Sequence, residues 1–221
     1  MRTILSHLVT GIMLLCAVAV TVLVIRREVF PPRAAAAMLD LAAVPDWRAI
    51  AKEGHSMGPD SAPVVVTEFA DFECPACALF YQRMDSLSRA HPGLVRLVFR
   101  HYPVKGHRFA VPAARASECA ASQGAFEPMY NALFTYRDSV GLVPWTWFAS
   151  TAGVRDTAAF ASCTRQSTDI PALQRDTSAA RRLQIAATPL VVLGGQRFYG
   201  APPFDTLAAL VQRAARSSQS R

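Results

Sequence analysis

Residues 64–80 read VVVTEFADFECPACALF, and the fold turns on where that stretch changes period. Val64 to Phe69 is β-branched and aromatic and follows Pro63, the composition of a buried strand. Beyond Cys74-Pro75 the apolar residues Leu79, Phe80, Met84 and Leu87 recur at helical spacing. Pro75 suits a first helical turn, where its missing N–H removes no hydrogen bond. A strand therefore passes directly into a helix, and Cys74 and Cys77 stand at the junction.

Working outward, His91-Pro92-Gly93 is a turn and Leu94–Phe99 a second strand. An Ala-rich helical region follows from about His107 to Leu183, with breaks expected at Pro128, Gly141–Pro144 and Pro171. Trp145 and Trp147 in this region read as core. Leu190–Leu193 is a third strand, Gly194-Gly195 a hairpin turn, Gln196–Tyr199 a fourth strand, and Pro203–Arg216 a closing amphipathic helix. This order predicts an α/β domain in which a parallel β-α-β unit lies beside an antiparallel hairpin, with a helical block as second crossover.

The chain has 221 residues, 52% hydrophobic against 18% charged, which excludes an unfolded polyelectrolyte. Fifteen Pro and eleven Gly exclude collagen-like repeats, and five Cys are too few for a small disulfide-built scaffold. The net charge of +7 comes from scattered residues, nearly all Arg, with no basic run longer than two. That pattern is a solvated surface rather than a nucleic-acid site.

From Thr3 to Ile25 no residue is formally charged, and ILSHLVTGIMLLCAVAVTVLVI is long enough to cross a hydrocarbon core of about 30 Å as a helix. A cleaved signal has a shorter apolar region and a nearby small-residue site. Here Arg26-Arg27-Glu28 follow at once and Ala34–Ala37 lie further on. Residues 1–27 are thus read as a transmembrane anchor in preference to a cleaved signal. Leu15 before Cys16 argues against lipoprotein processing. Arg26, Arg27 and Arg33 against Arg2 would, by the positive-inside rule, leave the rest of the chain in the cytoplasm. Residues 28–57, punctuated by Ala and Pro and holding the short amphipathic piece DWRAIAKEG, are expected to be a stalk. Residues 58–221 are then the domain, with its helical insertion at about 107–183.

The chemistry lies in Cys74-Pro75-Ala76-Cys77. Two cysteines three apart at a helix start can close a small disulfide ring. The first faces the unpaired N–H groups of the helix N-terminus, which favour an anion. A thiolate rather than a thiol attacks disulfides, so a lowered pKa at Cys74 makes it the reactive group and leaves Cys77 to resolve. The competing readings are half of a zinc site and a purely structural bridge. Zinc needs further ligands, but Cys119 and Cys163 form no close pair and His101 and His107 have no finger-like register. A bridge this short constrains little chain entropy.

Four stretches carry a family resemblance: GPDSAPVVVTEFADFECPACALF (58–80), RHYPVKGH (100–107), ASECAASQGAFEPMYNALF (116–134) and ATPLVVLGGQRFYGAPPFDTL (187–207). Together they resemble the DsbA-like thiol:disulfide oxidoreductases of the thioredoxin superfamily, the extracytoplasmic branch with a helical insertion. The resemblance implies a thioredoxin-like fold and dithiol exchange, with Cys74 as nucleophile and Cys77 as resolving cysteine. It assigns Glu68 as a buried acid that exchanges protons with the inner thiol, which desolvation makes chemically reasonable. It also assigns Thr188-Pro189 as the cis-proline loop that meets an extended substrate chain.

Cys119 and Cys163 match a second, structural pair carried by several relatives. If bridged, the loop of about 45 residues would contribute on the order of 4 kcal/mol; the alternative is two buried free thiols. Four cysteines outside the apolar segment form an even set suited to an oxidising compartment. With the family's habit, this outweighs the flanking charges and points to a periplasmic or otherwise external domain.

Two departures bear on redox strength. Pro-Ala stands between the cysteines where the strongest oxidant of the family has Pro-His, and Glu73 adds a negative charge beside Cys74. Both make Cys74 less acidic than that extreme. The expected activity is oxidation of cysteines in exported proteins, with a membrane redox partner restoring the disulfide. No metal or organic cofactor and no nucleic acid is called for. The alternatives are a reductase for a particular client, such as in cytochrome c maturation, and a non-catalytic thioredoxin-fold binding module.

Overall fold

The computed structural model describes residues 7, 11–21 and 42–219. The chain divides into two units, residues 1–37 and 38–221. In the first, residues 11–21 are helical; most of the remaining anchor expected over 1–27 lies outside the described residues. Among the described residues, no helix is long and apolar enough to cross a membrane.

The second unit is built on six strands: β1 (Ala42–Ala43), β2 (His55–Met57), β3 (Val64–Ala70), β4 (Val95–His101), β5 (Leu190–Leu193) and β6 (Gln196–Tyr199). They lie in the order β1-β6-β5-β3-β4-β2. β3 pairs with β4 in parallel through the crossover helix, and with β5 antiparallel; the β5–β6 hairpin extends the sheet. Among the described residues eight α-helices accompany it: α1 (Trp47–Ala51), α2 (Pro75–Ala90), α3 (Ala110–Ala121), α4 (Phe126–Thr135), α5 (Trp145–Thr151), α6 (Thr157–Thr164), α7 (Pro171–Arg182) and α8 (Phe204–Gln219). This is the expected thioredoxin-like α/β arrangement, with α3 to α7 as the helical insertion.

The sheet positions the site because β3 is covered on both faces. Val64 and Val66 pack with Phe80, Met84 and Leu87 of α2 and with Leu207 and Val211 of α8. Each fully buried Phe or Leu of this kind contributes roughly 1.5–3 kcal/mol. Phe69 instead joins Leu190 and the Ala179-Ala180 pair of α7. The third cluster, around Phe72, Phe99, Met129, Leu133 and Phe134, fastens the helical insertion to the end of the sheet. Cys119 on α3 and Cys163 on α6 are disulfide-bonded, with Cα atoms 5.9 Å apart, and tie two helices of the insertion together.

Three expectations need correction. Residues 42–57 of the expected stalk belong to the domain: β1 and β2 are its two edge strands, paired with β6 and β4. Gly54 admits the chain to this edge, since a Cβ there would come within 2.5 Å of a Val98 methyl and 2.6 Å of the Phe99 carbonyl oxygen. Second, Pro128 does not break a helix. It lies in the first turn of α4, where no N–H is needed, and Gly124 at φ +74° makes the break instead. Third, Trp147 is not core. It is 40% exposed, with its ring edge-on to Tyr136 at 5.0 Å, whereas Trp145 packs against the buried cluster.

Candidate active site

β3 ends at Ala70, and Asp71-Phe72-Glu73 turn the chain into α2, with Cys74 as the N-cap residue and Pro75 in the first turn. Asp71 builds this turn. Its carbonyl accepts the Cys74 N–H (3.1 Å) and its Oδ1 accepts the Glu73 N–H (2.8 Å). Its Oδ2 accepts the Val104 N–H and meets His107 Nδ1, both at 2.8 Å. One buried carboxylate thus joins the loop after β3 to the loop after β4. Glu73 is likewise engaged: its Oε2 accepts the Phe109 N–H at 2.7 Å, and its carbonyl accepts from Arg137 Nη1 at 3.4 Å.

Cys74 is 7% exposed and Cys77 fully buried, and both are free thiols here. Their environments drive them apart. A hydrogen bond from the Cys77 thiol, opposed by burial and helped by Thr188 and the backbone N–H groups of Cys77 and Ala76, lowers the Cys74 pKa from 9.0 to about 5. The N–H groups belong to the helix terminus, where orphan donors favour an anion. Burial pushes Cys77 well up, reinforced by its bond to Cys74 and by the charge of Glu68.

The other expected residues gather around this pair. The Thr188–Pro189 peptide bond is cis, and the Cys74 thiol reaches the Thr188 carbonyl oxygen at 3.6 Å. Glu68, on β3, has no exposed surface; Tyr130 Oη on α4 donates to its Oε2 at 3.4 Å, and its Oε1 has no hydrogen-bond partner. Burial with so little compensation raises the Glu68 pKa well above 4.5, against the lowering effect of Tyr130. Cys119 and Cys163 bridge each other rather than entering the site.

Sequence reading missed three participants: Asp71, Tyr130 and His107. His107 stands over Asp71; burial works against its imidazolium, but the Asp71 hydrogen bond and the charges of Asp71, Glu73 and Cys74 outweigh this and raise its pKa above 6.5. His107 thus reaches the neighbourhood of Cys74 from the loop after β4. Its only signal was its place at the end of RHYPVKGH. Tyr130 likewise had only its place within ASECAASQGAFEPMYNALF.

Comparison with known proteins agrees with this geometry. A thioredoxin family model matches residues 51–213. Among curated sequences, the Na(+)/H(+) antiporter NhaA 3 of Salinispora tropica is 32% identical over 168 residues, covering 76% of this chain and 26% of the relative. The antiporter NhaA 1 of Mycolicibacterium gilvum is 35% identical over 160 residues, covering 71% and 25%. The chain therefore spans about a quarter of the length of these curated relatives. Among solved structures, a thioredoxin-like oxidoreductase from Silicibacter pomeroyi superposes with TM-score 0.62 at 25% identity, covering 74% of this chain and 93% of its own. BdbD from Bacillus subtilis gives TM-score 0.66 at 21% identity, covering 75% and 94%. With a cysteine pair at the β3–α2 junction, a cis-proline facing it and a helical insertion in the crossover, the chain belongs to the thioredoxin family.

Proposed function

We propose that this domain oxidises cysteines of exported proteins through its Cys74–Cys77 disulfide. The observation that carries this reading is the asymmetry of the pair. The outer sulfur is held as a thiolate at the start of α2, with a pKa of about 5, while the inner one is buried and resists ionisation. A couple whose reduced form is stabilised in this way readily accepts electrons. The Cys74 value falls between about 3.5 for the strongest oxidant of this class and about 7 for thioredoxin.

The exchange runs in two steps. A substrate thiolate attacks Cys74 Sγ, forming a mixed disulfide while the Cys74–Cys77 bond breaks. Cys77 leaves with the electron pair and takes up a proton, for which the protonated Glu68 beside it is the donor. A second substrate thiol, after losing its proton to solvent, attacks the substrate sulfur of the mixed disulfide. Cys74 departs as its stabilised thiolate, the substrate gains a disulfide, and the enzyme holds the two electrons. The cis-Pro189 loop, with the Thr188 carbonyl beside Cys74, receives the substrate backbone as an added strand. Glu68 regains its proton through solvent, and a membrane redox partner withdraws the electrons.

The uncharged run from Thr3 to Ile25 supports a membrane anchor for residues 1–27, and the Cys119–Cys163 bridge supports a domain outside the cytoplasmic membrane. Cys77→Ser in the full chain tests the reading. It is expected to accumulate mixed disulfides between Cys74 and exported proteins, visible as thiol-sensitive adducts, and Cys74→Ser to show none. Absence of adducts in the Cys77→Ser protein, with secreted thiols unchanged in its host, would favour a binding module instead.

A further inference from the structure

A second cluster of chemically capable side chains lies away from the dithiol, where the helical insertion meets the sheet. His55 on the edge strand β2 pairs with Phe99 of β4, and His101 is two residues further along β4. Alternation along a strand puts Phe99 and His101 on one face, and cross-strand pairing puts His55 on it too. Glu118 of α3 descends onto that face. Its Oε1 lies 2.5 Å from His55 Nε2 and 2.8 Å from His101 Nε2. The three potential donor atoms all lie within 4.8 Å of one another.

We propose that His55, His101 and Glu118 form a binding site for a divalent first-row metal ion of the zinc type. Two neutral imidazoles and one carboxylate are the donor set of an open zinc site, with the fourth position left to water. Zinc bonds of about 2.0–2.2 Å in tetrahedral geometry require donors roughly 3.3 Å apart. The two His–Glu118 pairs need to open by less than about 1 Å, within reach of a rotation of the Glu118 side chain. The rings are already oriented: His55 stacks on Phe126 at 3.6 Å and 9°, and His101 meets the Phe99 ring edge-on at 5.1 Å. His101 is buried, whereas the side chains of His55 and Glu118 are 24% and 20% exposed, so one side admits an ion and its water.

Two imidazoles aimed at a single carboxylate oxygen exceed what an ion pair needs, and they come from three elements that the ion would clamp together. Each His would ligate through a free Nε2 lone pair, with any ring proton carried on Nδ1. The site is distinct from the dithiol: Phe72 lies between, its ring 6.1 Å from His101, two residues before Cys74. Its role is to secure β2 and α3 to β4, not to act on substrate.

The test uses the full chain, stripped of metal and with Cys74–Cys77 oxidised so that no thiolate competes. Titration with Zn(II) against a chromophoric chelator is expected to give one ion per chain, tighter than micromolar, with a rise in Tm. His55→Gln changes an edge position and is expected to weaken binding at least about tenfold and abolish the rise in Tm, while iodoacetamide alkylation of Cys74 in the reduced protein is unchanged. Overturning outcomes are no stoichiometric binding by the oxidised protein, or zinc binding that survives both His55→Gln and Glu118→Gln. Either result leaves the cluster a hydrogen-bonded triad and nothing more.

Discussion

Glu68 and Glu118 are both withdrawn from water, yet their surroundings send them in opposite directions. Glu68, beneath the dithiol, has one long hydrogen bond from Tyr130 and an unpaired Oε1, and burial holds it protonated far above the usual carboxylate range. Glu118, behind the active-site loop, also suffers burial, but the hydrogen bonds and charges of His101 and His55 outweigh it and lower its pKa to about 2. Desolvation alone therefore does not decide what a buried carboxyl does; the donors that meet it decide. An under-satisfied acid is suited to move a proton, whereas a doubly satisfied one is suited to hold structure together.

Substitutions can break this contrast. The largest effect belongs to the dithiol itself: Cys74→Ser is expected to reduce thiol exchange with a model peptide to the uncatalysed level. Next, Glu68→Gln is expected to slow exchange about 10²-fold at neutral pH, measured by stopped-flow mixing with reduced peptide. The same change leaves chemical stability unchanged or raises it by up to about 1 kcal/mol, since Gln cannot ionise when the chain unfolds at neutral pH as Glu68, with its raised folded pKa, does. Glu118→Gln should do the reverse in metal-free protein: about 2 kcal/mol of stability lost in urea melts, with exchange rates preserved. If both variants lose stability, or both lose activity, the division of labour between the two carboxyls is wrong.

The pH responses should also have opposite sign. Glu118 has a folded pKa of about 2 against 4.5 ordinarily, so its contribution is complete above pH 4.5 and disappears as pH falls from 4.5 towards 2. Glu68 has a raised folded pKa, so its contribution is complete below pH 4.5 and is lost as pH rises through its folded value. Tm measured against pH should therefore fall less steeply in acid for Glu118→Gln than for wild type. The advantage of Glu68→Gln over wild type should grow as pH rises above 4.5. Iodoacetamide alkylation of the reduced protein sharpens the picture at Cys74, with a midpoint expected near pH 5; a midpoint near 9 would show an ordinary thiol. The smallest effect is that of Tyr130→Phe, which removes the one donor to Glu68 and should change exchange rates only about threefold.

The central strands, the hairpin and α2 were legible because each spans enough residues for its hydrophobic period to show. β1 and β2 were not: strands of two and three residues have no period, and their pairing depends on Gly54 passing close under β4. Within the site, Cys74, Cys77 and Glu68 stand within ten residues of one another and share one local pattern. His107 and Tyr130 reach the site only through the fold, from the loop after β4 and from α4. The His55–His101–Glu118 cluster was hidden for the same reason, since its members come from an expected stalk, a strand end and a helix. The effect expected of Glu73 as a bare charge beside Cys74 also needed the structure, which gives its carboxylate the Phe109 N–H.

The reduction potential of the Cys74–Cys77 couple decides whether the acidic outer thiol makes this domain an oxidant. It is read by equilibrating the protein with glutathione buffers, beside a Cys119→Ala/Cys163→Ala sample in which one couple alone reports. A thiolate held near pKa 5 predicts a value between about −120 and −180 mV, the range of oxidants and disulfide shufflers. A value near about −270 mV, that of thioredoxin, would contradict the oxidant reading and make the domain a reductase.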